Sequence, residues 1–109
     1  LSPFGAHDAL RVAKAAVVQY TQNRAAALAK KGVRVNCICP GSIEFPGGSW
    51  ERHKANNPQL YNAILRSIPF GRLGHPEEVA RVALFLLSPL ANWVTRQTIS
   101  VDGGQLLGS

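Results

Sequence analysis

The 109-residue sequence predicts a layered α/β fold with parallel strands. Three observations predict it: a long alanine-rich helix over residues 8–31, a short strand directly after it over 33–39, and a second helix and strand over 76–88 and 97–101. Because two strands rarely make a stable parallel sheet, we expect the other strands to come from a longer polypeptide or a partner chain.

The first helix has clear signals at both ends. Residues 8–31 contain neither glycine nor proline, and apolar side chains occur on more than one face. Asp8 suits the N-terminal end of the helix dipole, and Lys30 and Lys31 suit the last turn. Gly32 suits the position just beyond the last turn, so the helix has a predicted start and stop.

The strand over residues 33–39 begins with β-branched residues and is closed by Pro40 and Gly41. In open α/β sheets, ligands bind beyond the carboxyl ends of such strands. Cys37 and Cys39 lie two apart in this strand, without a second pair that could complete a zinc site. We therefore interpret them as buried, reduced thiols.

Residues 40–70 form a predicted loop and helical flap. The loop over 40–48 holds three glycines and two prolines among nine residues. Two short helices follow over 49–56 and 58–67, with Asn57 as the cap of the second.

The helix over residues 76–88 opens with proline and two glutamates, as the positive end of the helix dipole favours. It is apolar nearly all round, which predicts burial between two layers. Residues 97–101 alternate polar and apolar side chains and form the second predicted strand.

Composition narrows the class of protein. Twelve Lys and Arg against six Asp and Glu give a net charge of +6, but the basic residues are scattered and lack an aromatic-rich motif. A solvated surface is therefore expected, without a nucleic-acid partner. The sequence contains no apolar run long enough to span a bilayer and no signal peptide, so a cytoplasmic protein without a membrane partner is expected. Since the chain begins at Leu1 and contains no methionine, we expect its N-terminus to be an internal boundary.

Four short motifs occur in a characteristic order and spacing. They are Ala13-Lys14-Ala15-Ala16, Gly32-Val33-Arg34-Val35-Asn36 running into Pro40-Gly41, Gly71-Arg72-Leu73-Gly74 with Pro76-Glu77-Glu78-Val79-Ala80, and Val101-Asp102-Gly103-Gly104. Together they make the sequence resemble the short-chain dehydrogenase/reductase family over essentially its whole length. The resemblance implies the C-terminal part of a doubly wound parallel Rossmann-type sheet. The N-terminal nucleotide-binding half is absent, and with it the residues that choose between NAD and NADP.

The resemblance also implies a catalytic pair on the first helix. In the family a tyrosine acts as acid or base four residues before a lysine that binds the nicotinamide ribose, and this spacing places both on one helical face. Lys14 fits the lysine position, but Leu10 stands at the tyrosine position and cannot transfer a proton. Losing a general acid typically lowers the rate by about 10²–10⁴. His7, or Tyr20 with Arg24, are the alternative candidates for the proton transfer, although ordinary structural roles are favoured for all three.

The loop after the first strand is the implied cofactor contact. In the family its backbone runs along the nicotinamide, which assigns Pro40, Gly41, Ser42 and Ile43 to cofactor binding, with Ile43 at the carboxamide. Where many members have threonine, this sequence has Phe45, so a hydroxyl contact to the cofactor is not expected.

The substrate side is assigned to the start of the flap, at Phe45, Gly47, Gly48 and Trp50. Packing within the flap is an alternative role for Trp50. No metal ligands are assigned.

The resemblance therefore implies a hydride transfer between NAD or NADP and a small alcohol or carbonyl substrate, and we expect this segment alone to be inactive. Members of the family form dimers and tetramers through these helices and the last strand, so the resemblance implies a homodimer or homotetramer, and the apolar residues on two sides of the helices over 8–31 and 76–88 fit it. Leu10 keeps open an alternative, a noncatalytic relative that serves as an oligomerisation or binding protein.

Overall fold

The computed structural model describes the backbone of residues 6–105 and the side chains of residues 11–105. The elements in chain order are α1 (Ala6–Leu28), β1 (Cys37–Pro40), α2 (Ser49–Asn56), α3 (Pro58–Ser67), α4 (Pro76–Leu87) and β2 (Thr98–Val101). Short 3-10 helices follow α1 at Ala29–Lys31 and α4 at Pro89–Ala91.

The two strands pair in parallel, with Cys37 opposite Thr98 and Pro40 opposite Val101. Both α1 and α4 contact β1. The predicted α/β class with a parallel sheet is confirmed, and the carboxyl ends of both strands lie at the same edge.

The first helix differs slightly from the predicted range of 8–31. It begins at Ala6 and keeps α geometry to Leu28, after which the chain tightens into the 3-10 turn that holds Lys30 and Lys31. Gly32 follows with φ 72°, and its N–H donates to the carbonyl of Ala29. The predicted glycine stop is confirmed, because this left-handed conformation favours a residue without a Cβ.

The first strand is shorter than predicted. Residues 33–36 do not join the ladder, and β1 covers only Cys37–Pro40. Ahead of β1, side chains link the two segments. The N–H of Val35 donates to Thr95 Oγ1 at 3.1 Å, and Asn36 Nδ2 donates to the carbonyl of Val94 at 3.1 Å. The polar side chains thus replace regular strand bonds here.

The second strand begins at Thr98 rather than at residue 97. The N–H of Gln97 donates to Asn36 Oδ1 at 3.0 Å instead of to a strand carbonyl. Arg96, just before it, has φ 62°, a conformation that is uncommon for a residue other than glycine. These two features delay the start of the ladder.

The predicted burial of the helix over residues 76–88 is wrong for this chain. The helix ends at Leu87, and Leu86 is its only buried residue, whereas Leu84 is 68% and Leu87 is 79% exposed. A two-stranded sheet covers only one face of a helix this apolar. At its C-terminal end the carbonyl of Leu86 accepts from Arg34 Nη1 at 2.6 Å, which places a cation at the negative end of the dipole.

The flap carries its own small core. Tyr61, Ile68 and Leu73 are buried together, with Trp50 packed against them. Asn57 caps α3 as predicted, since its Oδ1 accepts from the N–H of Leu60 at 3.3 Å. This core supports the flap beside the carboxyl end of the strands.

Candidate active site

The loop after β1 and the turn after β2 touch each other at Gly41. The N–H of Gly41 donates to the carbonyl of Val101 at 3.0 Å. A Cβ at Gly41 would lie 2.7 Å from Cβ and 2.8 Å from Cα of Asp102, closer than real Cβ atoms approach. Only glycine fits here, so this contact explains why the sequence has a glycine directly after the strand.

Ser42 is held by a residue that the sequence reasoning missed. Its N–H donates to Gln105 Oε1 at 2.9 Å, and Gln105 Nε2 donates to Ser42 Oγ at 3.0 Å. In the turn after β2, the side chain of Asp102 accepts from the N–H of Gly104 at 2.9 Å and so holds the turn that precedes Gln105. No local pattern points to Gln105, because its partner is 63 residues away.

The peptide N–H and C=O of Ile43 point away from Gly74. It forms an isolated parallel bridge with Gly74, in which the N–H of Gly74 donates to the carbonyl of Ser42 at 3.0 Å and the N–H of Glu44 donates to the carbonyl of Gly74 at 2.9 Å. In such a bridge the flanking residues make the bonds, so the N–H and C=O of Ile43 itself point to the opposite side. Within residues 6–105 neither group has a recorded hydrogen bond.

Lys14 is exposed on α1, the helix that packs on β1. Burial raises the pKa of the Cys39 thiol, the neighbouring Cys37 thiol raises it further, and the positive charge of Lys14 opposes the rise. Lys14 therefore acts electrostatically on the end of β1. Both cysteines are free, with their sulfurs 3.9 Å apart, and the half-buried Cys39 is less enclosed than predicted.

Leu10 lies one helical turn before Lys14 in α1, and its side chain is outside the described part of the chain, as is that of His7. Tyr20 and Arg24 are exposed further along the same helix. In the side chains that the structure describes, no group of His, Cys, Asp or Glu is arranged to hold a metal ion.

Ser42 and Ile43 line a cavity of about 360 Å³ between the strand ends and α4. Gly74, Val82 and Asp102 contribute to the same walls. Arg72 and Glu78 also line it and form a two-pronged ion pair, with both N–O distances 2.7 Å. Hydrogen bonds from Arg72 and from the N–H of His75 lower the pKa of Glu78 to about 2. The sequence reasoning did not assign Arg72 or Glu78 to a site.

The residues assigned to the substrate side do not share one wall. The ring of Phe45 is 48% exposed and covers Gly48, where a Cβ would lie about 2.9 Å from the ring. Gly47 has φ 81° in the turn between them. Trp50 is half-buried and packs against the flap core, with its ring centroid 5.2 Å from that of His53.

A second cavity of about 250 Å³ includes Phe45 but not Trp50. Its other lining residues were not expected from the sequence; they are Glu44, Pro46, Glu51, Lys54 and His75.

Glu44 ties this loop to the flap. The hydroxyl of Tyr61 donates to Glu44 Oε2 at 2.9 Å, and Nε2 of His75 lies 3.8 Å from Glu44 Oε1. Burial and then the bond to Glu44 raise the pKa of Tyr61, so its hydroxyl is protonated at neutral pH. Lys54 Nζ lies 5.5 Å above the centre of the Tyr61 ring.

None of the helices in the described ranges is both long enough and apolar enough to cross a membrane. Three relatives show what this chain is similar to. Isoepoxydon dehydrogenase patN of Aspergillus clavatus is 46% identical over 96 residues, which are 88% of this chain and 37% of that protein. A putative 2-deoxy-d-gluconate 3-dehydrogenase from Agrobacterium tumefaciens with bound NADP superposes with a TM-score of 0.79 at 39% identity, covering 92% of this chain and 39% of that one.

A 3-oxoacyl-[acyl-carrier protein] reductase from Brucella melitensis with bound NAD gives a TM-score of 0.73 at 36% identity, covering 91% of this chain and 33% of that one. The chain thus spans between a third and two-fifths of the length of these relatives. The family model described as Enoyl-(Acyl carrier protein) reductase matches residues 3–105. By sequence and by fold, the chain belongs to the short-chain dehydrogenase/reductase family.

Proposed function

We propose that this chain is the C-terminal segment of an NAD(P)-dependent oxidoreductase that transfers a hydride between the nicotinamide and an alcohol or carbonyl substrate. The observation that carries the proposal is the N–H and C=O of Ile43, which point away from Gly74 beyond the carboxyl end of β1 and form no hydrogen bond within residues 6–105. A carboxamide needs one hydrogen-bond donor and one acceptor, and Ile43 offers both. Bound NADP and NAD in two similar structures support a nicotinamide cofactor, without choosing between them.

The remaining cofactor contacts follow from the same edge of the sheet. Lys14 offers an ammonium group for the ribose hydroxyls, and its effect on Cys39 is consistent with a place near the end of β1. Pro40 and Gly41 would carry the loop backbone towards the cofactor, and the close contact of Gly41 with Asp102 fixes the start of this loop. Ser42 and Ile43 would then lie along the nicotinamide, which supplies or accepts the hydride.

Leu10 leaves the proposed reaction without a proton donor at the position where the family has a tyrosine. A leucine four residues before Lys14 can neither donate nor accept the proton that the substrate oxygen exchanges. We therefore expect the polypeptide that carries Leu10 to bind the cofactor but to turn over its substrate slowly. Because the similar proteins are named dehydrogenases and reductases, we favour the oxidoreductase over a noncatalytic binding protein.

On the substrate side, we propose that Phe45, Gly47 and Gly48 form the edge of the pocket, because the exposed ring of Phe45 lies over Gly48. Trp50 would act from behind them, since it packs into the flap core. The class of substrate is a small alcohol or carbonyl compound.

We further propose that the exposed apolar faces of α1 and α4 are covered by the N-terminal half of the sheet and by further copies in a cytoplasmic homodimer or homotetramer. The large exposed apolar side chains support this proposal; they include Val12, Val17, Tyr20, Leu84, Leu87, Leu90 and Trp93.

The proposed function is tested in the full polypeptide that carries this segment. Binding of NADH and NADPH is measured first, by the fluorescence of the reduced nicotinamide. Leu10→Tyr restores the spacing of a general acid and a lysine, and should raise the turnover of an alcohol and carbonyl panel by about 10²–10⁴. Leu10→Phe is the matched control, since it adds the ring without the hydroxyl. Failure to bind either nucleotide, or equal rates for the two variants, would contradict the proposal.

A further inference from the structure

We propose that Gln105 is a positioning residue that holds the cofactor loop in its binding conformation through a two-point clamp on Ser42. The inference rests on the proposed function, because it concerns the loop assigned to the nicotinamide. Gln105 touches no proposed reacting atom and acts only through Ser42 and the residue after it.

The clamp engages one backbone group and one side-chain group of Ser42. The N–H of Ser42 can only donate, so the atom of Gln105 at 2.9 Å from it must be the acceptor oxygen Oε1. This orientation directs Nε2 of the same amide to Ser42 Oγ at 3.0 Å. Both hydrogen bonds therefore depend on a single orientation of the Gln105 amide.

The base of the clamp is firmly attached to the sheet. Gln105 directly follows the turn at Asp102, whose carboxylate accepts from the N–H of Gly104 at 2.9 Å, and the N–H of Gln105 donates to the carbonyl of Asp102 at 3.0 Å. That turn is packed against Gly41 so closely that a Cβ there would also lie 2.9 Å from Gln105 Oε1. The amide is consequently confined between the two strand ends.

By holding Ser42, the clamp also restricts Ile43, which is the next residue in the chain. With its N–H bound to Gln105 and its carbonyl bound to the N–H of Gly74, Ser42 is held from both sides. The peptide between Ser42 and Ile43 carries the N–H of Ile43 that is proposed to meet the cofactor. Loss of the clamp would release the N–H and the hydroxyl of Ser42 and leave the bond from Gly74 as the remaining hold on this peptide, so the binding conformation would be less populated before the cofactor binds.

The test uses Gln105→Met in the full polypeptide, because methionine keeps the length of the side chain and removes both hydrogen bonds. We expect the Kd of NADH or NADPH to rise about 5-fold to 150-fold, the range that two hydrogen bonds of ordinary strength give. Turnover at saturating cofactor should change less than the cofactor KM. The amide of Ser42 should also exchange its hydrogen faster.

Two further variants separate positioning from general stability. Gln105→Glu keeps the acceptor for the N–H of Ser42, and the serine hydroxyl can rotate to donate to the other oxygen, so this variant should recover most of the affinity. Gln97→Met makes the same side-chain change at the opposite end of β2, where Gln97 Nε2 donates only to the nearby carbonyl of Thr95 at 3.2 Å. It should leave the Kd of the cofactor unchanged.

A Gln105→Met protein with the Kd of the parent overturns the positioning role and leaves the proposed function standing. Equal losses in Gln105→Met and Gln105→Glu, or in Gln105→Met and Gln97→Met, overturn it as well. If the parent polypeptide binds neither NADH nor NADPH, the proposed function itself fails, and the role of Gln105 fails with it.

Discussion

The two ends of the β1–β2 pair are both joined by side-chain amides, but they leave the backbone in different states. At the amino end Asn36 accepts from the N–H of Gln97 and donates to the carbonyl of Val94, so it satisfies a backbone donor and a backbone acceptor. At the carboxyl end Gln105 binds Ser42, and the next residue, Ile43, keeps both peptide groups unbonded within the described residues.

We call the amino end, where the side chain of Asn36 bonds to the backbone of Val94 and Gln97, the closed end. The carboxyl end, where the peptide groups of Ile43 point away from Gly74, is the open end. At the amino end the side chain of Asn36 bonds to backbone groups that hold the fold together, whereas the carboxyl end combines the Gln105–Ser42 contact with a cavity and with peptide groups of Ile43 that point away from Gly74. Ligand sites of open α/β sheets lie at this end. Changes at the amino end should therefore affect stability alone, and changes at the carboxyl end should affect stability and cofactor binding together.

The largest effect is expected for Gly41→Ala at the open end. The new Cβ would collide with Cα and Cβ of Asp102, which are not flexible chain ends, so the strand end and the turn must separate. We expect a loss of about 3 kcal/mol in the free energy of unfolding, measured by urea denaturation, together with weakened binding of NADH or NADPH.

Gly74→Ala is the comparison for this variant, because its Cβ would meet only the end of the Ile43 side chain at 2.9 Å. That atom can move, so a loss of about 1 kcal/mol is expected. Equal losses for the two alanines would show that Gly41 is not the tighter contact.

Asn36→Ala breaks the closed end. Two hydrogen bonds are lost, and a backbone N–H and a backbone carbonyl are left without their partners, which should lower the free energy of unfolding by about 2 kcal/mol. Cofactor Kd should remain that of the parent. Asn92→Ala, at an exposed residue, is the control and should change neither quantity appreciably. A raised Kd in Asn36→Ala would contradict the division between the two ends.

The smallest effect concerns the exposed Arg72–Glu78 pair beside the cavity, where solvent screens the charges. The pKa of Glu78 is lowered from its ordinary value of 4.5 to about 2, so the folded state favours the carboxylate. This contribution to stability is present above pH 4.5 and is lost as the pH falls from 4.5 towards 2.

In Glu78→Gln this part of the pH dependence should disappear. Plots of the free energy of unfolding against pH for the parent and the variant should therefore converge towards pH 2. Glu77→Gln removes the neighbouring carboxylate of the same helical turn and should keep the pH dependence of the parent. If the free energies of unfolding of the parent and Glu78→Gln differ by a constant amount between pH 4.5 and 2, this pair does not have the proposed role.

The sequence was sufficient for the elements whose signals are local. The glycine after α1, the asparagine cap of α3 and the proline and glutamates that open α4 each act within a few residues, so their positions could be predicted. The start of β1 could not, because it depends on whether Asn36 and Thr95 bond to the backbone across about 60 residues. A strand propensity carries no information about such distant partners.

The candidate site divides in the same way. Lys14, Ser42 and Ile43 could be proposed by resemblance, because Lys14 belongs to a short motif and Ser42 and Ile43 directly follow Pro40-Gly41. Gln105 and the Arg72–Glu78 pair could not, since their positions come from the packing of the turn after β2 and of the start of α4 against the loop.

By itself, then, the sequence determined the order of helices and strands, the parallel α/β class, the lysine of the helix and the leucine that stands where a proton donor is expected. The order and the class depend on periodicity, end signals and spacing along the chain, whereas the roles expected at Lys14 and Leu10 come from the resemblance to the family. Only the tertiary structure decided that the two strand ends differ, that Trp50 packs into the flap and that Ile43 keeps its peptide groups available. The physical reason is that a hydrogen bond or a steric contact between distant residues exists only after the chain has folded.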